Sequence, residues 1–396
     1  MILPELTTKN AWELRRQPEI DEEDLWLTPG PVVWQAERLR GPPPMFYPVY
    51  RSGDLYATSP LPLIVHKGAL ELDGDVARQV GAAVRYLATN ATIDRRVRRV
   101  GCPELSTLEL SDPREYVATF AAATRSDVAR VEARHPGFVN LVLCGGKDSL
   151  NLLLLPWKNP VIAVSARPNF PLVQQFVRDN RLGIDVVELV DRDASLLDSE
   201  IAVNACRIGL DHVRWVAELR ELAGRFERRA IFWVGAMADA FTTPKWRTYN
   251  HSLALARLRA LPGLRGLADT DAGQSLFSWT CYYRGGMWQG GNMSLLKEIT
   301  DALVLSAYHG PAMRALLARV DLRGAATTDI RPAIGEALAG GPVVYPTTNP
   351  SPPPRPSASA ARTSPRSSRS WPATGSAAPE RPNRSPGHAL KDMSCR

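Results

Sequence analysis

The 396-residue sequence has no run of about 20 apolar residues, so no segment is expected to span a membrane. It is poor in cysteine. The five cysteines, Cys102, Cys144, Cys206, Cys281 and Cys395, are scattered, odd in number and never spaced C-x-x-C. That pattern excludes a zinc ribbon and a disulfide scaffold, and it fits a reducing compartment. The stretch Met1–Asp24 is acidic and lacks the apolar centre of a signal peptide, so a cytoplasmic location is expected. Nor is the body of the chain basic. Of the net charge of +7, residues 346–396 carry eight basic and two acidic groups, which leaves +1 for everything before them. A broad nucleic-acid platform is therefore not expected.

Hydrophobic residues make up 44% and charged residues 22%, as in globular proteins with real cores. Residues 1–45, with Trp12, Trp26 and Trp34, read as partial helix and loop. Two aromatic and β-branched runs flank Ser52-Gly53-Asp54, which predicts a hairpin over residues 45–59. Residues 73–90 read as a helix, and Arg95-Arg96-Val97-Arg98-Arg99 reads as a solvated face rather than an anion site. Ser111-Asp112-Pro113 opens a helix that His135-Pro136-Gly137 stops.

From Phe138 strands and helices alternate. Strands are expected at 138–143, 161–165, 184–190 and 230–234, with helices at 150–155, 172–181 and 199–228. The fold class expected is α/β, a parallel sheet with helices on both faces. Residues 250–340 read as helical around an aromatic insert from Phe277 to Asn292. From Thr347 the chain turns to Pro, Ser, Ala and Arg without periodicity and is expected to be disordered. The domains expected are 1–110, 111–345 and 346–396.

The stretch that organises the chain is Phe138–Leu150. An apolar strand ends at Cys144-Gly145-Gly146-Lys147-Asp148-Ser149, and a Leu-rich helical segment follows. Gly145 and Gly146 let backbone N–H groups approach a phosphate, and a helix N-terminus favours the same anion. Asp148 would repel that phosphate unless a cation lay between them, which points to Mg²⁺. The spacing is neither a Walker loop nor a G-x-G-x-x-G fingerprint. In a parallel sheet ligands sit at the carboxyl ends of strands, so Leu143 to Ser149, Ser165 and Gly235 to Asp239 are expected on one rim.

These residues resemble the S-G-G-x-D-S loop of the ATP pyrophosphatase (PP-loop) superfamily, with Cys144 at the first Ser. More specifically, the chain resembles the synthetase domain of the asparagine synthetase family over roughly residues 45–345. Ser165 stands where that family holds the nucleoside. Gly235–Phe241 lies where it carries G-x-x-S-D-E-x-F, with Asp239 retained as a metal ligand and with Ala238 and Ala240 in place of Ser and Glu. Asp329-Ile330-Arg331 is similar to its K-x-x-L-R helix, with Thr327 at the lysine. Ile2 replaces the nucleophilic cysteine that follows the initiator Met, so glutamine hydrolysis is not expected, and the hairpin region would be a worn glutaminase remnant.

The resemblance implies an adenine nucleotide α-hydrolase-like fold and an AMP-forming amide ligase. A small-molecule or peptide carboxylate would attack the α-phosphorus of ATP, and an amine or ammonia would displace AMP, as in specialised peptide or natural-product biosynthesis. Leu143, Cys144, Gly145, Gly146, Asp148, Ser149, Ser165 and Gly235 would hold ATP, and Asp148 and Asp239 would hold Mg²⁺. Lys147 would add charge at pyrophosphate. Lys245, Lys297 and Arg331 are the candidate cations for the amide-forming step, with Glu298 and Asp301 as acidic partners. Two alternatives remain: a catalytically inactive nucleotide-binding homologue that acts through a protein partner, and a PP-loop enzyme that modifies tRNA.

Overall fold

In the computed structural model the described residues are 12–30, 32–41, 47–68, 71–74, 92, 94–100, 109–190, 215–236, 238–244 and 290–346. The chain divides into two units, Met1–Pro346 and Thr347–Arg396. The second unit, the helix expected over 75–90, the first part of that expected over 199–228, Lys245 and most of the aromatic insert lie outside the described residues.

The N-terminal region is more regular than the partial helix and loop expected. Strands β1 (Glu13–Arg16) and β2 (Glu19–Ile20) are followed by α1 (Glu22–Trp26), then by β3 (Val32–Gln35) and β4 (Arg38–Leu39). β1 pairs with β3, and β2 with β4, both in parallel. Two copies of strand, turn and strand therefore stack with an offset of 19 residues, and their charges match across it: Arg38 donates to Glu19 and Arg40 to Asp21. The hairpin appears as expected, with β5 (Val49–Ser52) antiparallel to β6 (Leu55–Ala57). Gly53 takes φ 64° at its turn, where a Cβ would be strained. α2 (Pro60–His66) and β7 (Arg98–Val100) complete a sheet in the order β1-β3-β6-β5-β7. The basic run binds within the chain, with Arg95 and Arg96 on Glu71, Arg96 on Asp94 and Arg98 on Asp73.

Helix α3 (Pro113–Arg134) starts where its signals predict, with the Asp112 carboxylate accepting from the Arg114 N–H. Then come β8 (Val139–Leu143), α4 (Lys147–Leu152), β9 (Val161–Ala166), α5 (Phe170–Asp179), β10 (Asp185–Leu189), α6 (Val216–Arg225), β11 (Ala230–Val234), α7 (Ala238–Thr242), α8 (Gly290–Thr300) and β12 (Leu303–Ser306). The last three helices are α9 (Pro311–Leu317), α10 (Leu322–Ala325) and α11 (Arg331–Ala339). The architecture is mixed α/β, as expected. All five strands from β8 to β12 are parallel, in the order β10-β9-β8-β11-β12. β12 corrects the all-helical reading of 250–340. Leu303–Ser306 is a wholly buried edge strand, and its continuous apolar run has no alternation to set it apart from a helix segment.

Strand order reverses between β8 and β11, the place where open parallel sheets bind ligands. A buried polar chain holds that pair together. Trp233 Nε1 donates to Asn140 Oδ1 at 2.8 Å, and Asn140 Nδ2 donates to Glu132 Oε1 at 2.8 Å. Glu132 also accepts from the N–H groups of Lys158 and Asn159. Such a network is stabilising only because every member is paired.

The division expected at 110/111 does not separate two cores, because Trp26, Tyr47 and Tyr56 belong to the same apolar cluster as the parallel sheet. α1 is pinned to the later helices by charge: Glu22 to Arg314 at 2.5 Å, Glu23 to Arg130, and Asp24 to Arg134 at 3.5 Å. Among the described residues no helix is long and apolar enough to cross a membrane.

Candidate active site

The turn from β8 into α4 forms a small loop closed on itself. The N–H groups of Gly145 and Gly146 donate to Ser149 Oγ at 2.9 and 3.2 Å, and that hydroxyl donates to the Gly146 carbonyl at 3.0 Å. A Cβ added at Gly145 or Gly146 would meet nothing within 4 Å, so the space beside both α-carbons is open, while their N–H groups are taken up by Ser149 Oγ. α4 is six residues long, so the loop amides rather than a long helix dipole offer attraction to an anion. Gly235, at the tip of β11, is needed for close approach, since its Cβ would come within 3.0 Å of Ser149 N.

The loop opens onto a cavity of about 470 Å³ at the carboxyl ends of the strands. Leu143, Cys144, Gly145, Gly146, Asp148, Ser149, Ser165, Gly235 and Asp239 all line it, so the expected rim is assembled. Two of these side chains have local duties. Ser165 Oγ donates to the Cys144 carbonyl at 2.7 Å, tying β9 to the loop. The Cys144 thiol is buried, which pushes its pKa well up and keeps it protonated.

Asp148 is the centre of the polar end. Its Oδ2 lies 3.4 Å from Arg331 Nη1, its Oδ1 accepts from Thr242 Oγ1 at 3.4 Å, and its carbonyl accepts from Tyr308 OH at 2.6 Å. Burial pushes the Asp148 carboxyl up to about 6; Arg331 opposes the rise and the Asp239 charge adds to it. Asp329 takes Arg331 Nε and Nη2 in a two-pronged pair at 2.7 Å each. Partial burial acts to raise Asp329, but the guanidinium outweighs it and brings the carboxyl down to about 2. The Lys147 ammonium stands 3.4 Å from Asp329 and 6.0 Å from the centre of the Tyr345 ring. Among the described residues the cluster brings together three carboxylates, Asp148, Asp239 and Asp329, and two cations, Arg331 and Lys147.

Neither a search of family models nor a search of curated proteins gives a match to this chain.

Among the described residues no three His, Cys, Asp or Glu side chains group as a metal site. Two carboxylates beside the Gly145-Gly146 turn suit Mg²⁺ that arrives with phosphate oxygens and water, which is how this ion is usually held. Asp148, Asp239 and the space over Gly145 and Gly146 fit that group.

Lys297 is a correction. It is 1% exposed and does not line the cavity; its ammonium donates to the carbonyls of Leu25 and Trp26 at 2.7 and 3.2 Å, at the end of α1. Asp301 pairs with Arg228 at 3.1 Å, and Glu298 is buried; neither lines the cavity. Lys147 is not among the lining residues either; its ammonium pairs with Asp329. Among the described candidate cations, Arg331 reaches a lining side chain directly, at Asp148.

Sequence reasoning missed Asp329, Thr242 and Tyr308. Asp329 stood two residues before Arg331, a spacing that offered a signal. Tyr308 offered none, because its partner is a backbone carbonyl 160 positions away.

Proposed function

We propose that this chain is an ATP-dependent, AMP-forming amide ligase of the kind the asparagine synthetase resemblance implies, built on a PP-loop fold. One observation supports the reading: at the reversal of strand order, the Gly145-Gly146 turn, with open space over its α-carbons, lies beside two carboxylates, Asp148 and Asp239, whose charges disfavour each other. Arg331 offsets part of that charge at Asp148, and a divalent cation brought with phosphates would offset more. Asp148 and Asp239 would hold Mg²⁺, which supplies charge neutralisation at the leaving pyrophosphate. The amides of Gly145 and Gly146 would bind phosphate oxygens once Ser149 Oγ yields them. Arg331, held in place by Asp329, would orient Asp148 and add positive charge where pyrophosphate departs.

A second reading has its own support. Ala240, where the resemblance calls for Glu, is 0% exposed and carries no polar group, which favours nucleotide binding without turnover. Calorimetry with Mg-ATP on the full chain, wild type beside Asp148→Ala, tests the shared premise. Binding lost in the variant supports the site, and equal binding by both refutes it. Pyrophosphate release then separates ligase from binding protein.

A further inference from the structure

The cavity is chemically two-sided. Beyond the loops, α6 presents Trp215 and Leu219, one helical turn apart, and α8 presents Met293 and Leu296 on the adjoining face. Leu219, Met293 and Leu296 are 1%, 1% and 3% exposed, so the wall is set by packing between the two helices rather than by solvent. None of these four side chains is charged. The tip of β9 is different: Ser165, Arg167 and Asn169 line it, and Arg167 Nε donates to Glu188 at 2.7 Å.

A nucleotide bound by its phosphates at the loops must still place a ribose and a base rich in hydrogen-bonding atoms. The β9 tip has polar side chains to meet them, whereas the described residues of the α6–α8 wall are largely apolar, so polar atoms buried against those would go unpaired. We infer that the α6–α8 wall seats the acyl group of the second substrate, and that this substrate is an apolar aliphatic or aromatic carboxylate. This rests on the reading of the site as a carboxylate-activating one. In the step concerned, a carboxylate oxygen bonds to the α-phosphorus of ATP, the bond from that phosphorus to the bridging oxygen breaks, and pyrophosphate leaves with the electron pair. A dicarboxylate such as aspartate would have to bury its second charge against Trp215, Leu219, Met293 and Leu296, and among the described residues of that wall no charged side chain offsets the cost.

The test is ATP–pyrophosphate exchange by the full-length protein with butyrate, octanoate, phenylacetate, aspartate and glutamate, run beside Mg-ATP calorimetry. The expected result is exchange with octanoate or phenylacetate about 10-fold or more above butyrate and above both dicarboxylates. Trp215→Ala should lower that exchange about 10-fold while the Kd for Mg-ATP stays within about 2-fold. The wild-type panel decides even if the variant fails to fold. Preference for aspartate or glutamate overturns the inference and leaves the site reading standing. Weakening of Mg-ATP binding itself by Trp215→Ala assigns the wall to the base and overturns it too, as does ATP binding without exchange for any acid. Absence of Mg-ATP binding in the wild type removes the site reading, and the inference with it.

Discussion

Replacing Lys297 by methionine separates a structural lysine from a catalytic one. The side chain is buried on α8, with its ammonium on two carbonyls of α1 and 5.2 Å from the centre of the Trp26 ring. Burial brings its pKa down from 10.5 to about 7. In the unfolded chain the amine stays protonated to far higher pH. Below pH 7 both states carry the charge and the folded state bears the full cost of burying it. Between about 7 and 10.5 the folded amine is neutral while the unfolded one is charged, so the cost shrinks as pH rises, and above 10.5 it is gone. The cost works out at about 4 kcal/mol at pH 7 and about 2 kcal/mol at pH 9. Wild type should therefore gain about 2 kcal/mol on Lys297→Met between pH 7 and pH 9. Urea unfolding of both proteins, followed by far-ultraviolet circular dichroism at the two pH values, reads that difference directly. The absolute gap at one pH mixes lost hydrogen bonds with relieved burial; its change with pH isolates the amine. A pH-independent gap, or one moving the other way, refutes the burial argument. Mg-ATP binding should survive the substitution, and its loss would return Lys297 to the site.

Other perturbations have outcomes of similar sharpness. Asp148→Asn should stabilise the ligand-free protein, because the wild-type carboxyl titrates near 6 rather than 3.8. The advantage should grow by about 1 kcal/mol from pH 5 to pH 8 in urea titrations, and should be absent only if Asp148 is solvated. Asn140→Ala leaves Trp233 Nε1 and Glu132 short of a partner in the sheet centre; unfolding free energy should fall by about 2–4 kcal/mol, and a loss under 1 kcal/mol would discount the network. Gly235→Ala pushes a methyl against Ser149 N, so Mg-ATP affinity by calorimetry should fall while Tm changes little; the reverse pattern would make Gly235 a purely structural residue. Asp329→Asn removes the two-pronged partner that holds Arg331 and the ion pair of Lys147, so the Kd for Mg-ATP should rise with no loss of secondary structure, and an unchanged Kd would discount Asp329 as a positioning residue.

What the linear chain determined by itself was local and periodic. Alternating apolar runs and helical stretches were enough for the parallel strands β8 to β11 and the α3 start at Asp112-Pro113. Ser52-Gly53-Asp54 was enough for the hairpin, and Gly145-Gly146-Lys147-Asp148-Ser149 for a tight strand-to-helix loop on the rim of the sheet. Each depends on backbone preferences and side-chain period within a few residues. Long-range pairing was decided only in three dimensions. β12 shows no alternation, because an edge strand buried on both faces has no polar side to reveal it. The stacked repeat of β1–β2 on β3–β4 depends on matching partners 19 positions apart. Lys297 looks like an exposed helix lysine until α1 folds over it and offers its carbonyls. Asp329, Thr242 and Tyr308 reach Asp148 from three separate segments, and the apolar wall comes from two helices. Helix packing sets those distances, and no spacing within the chain encodes them.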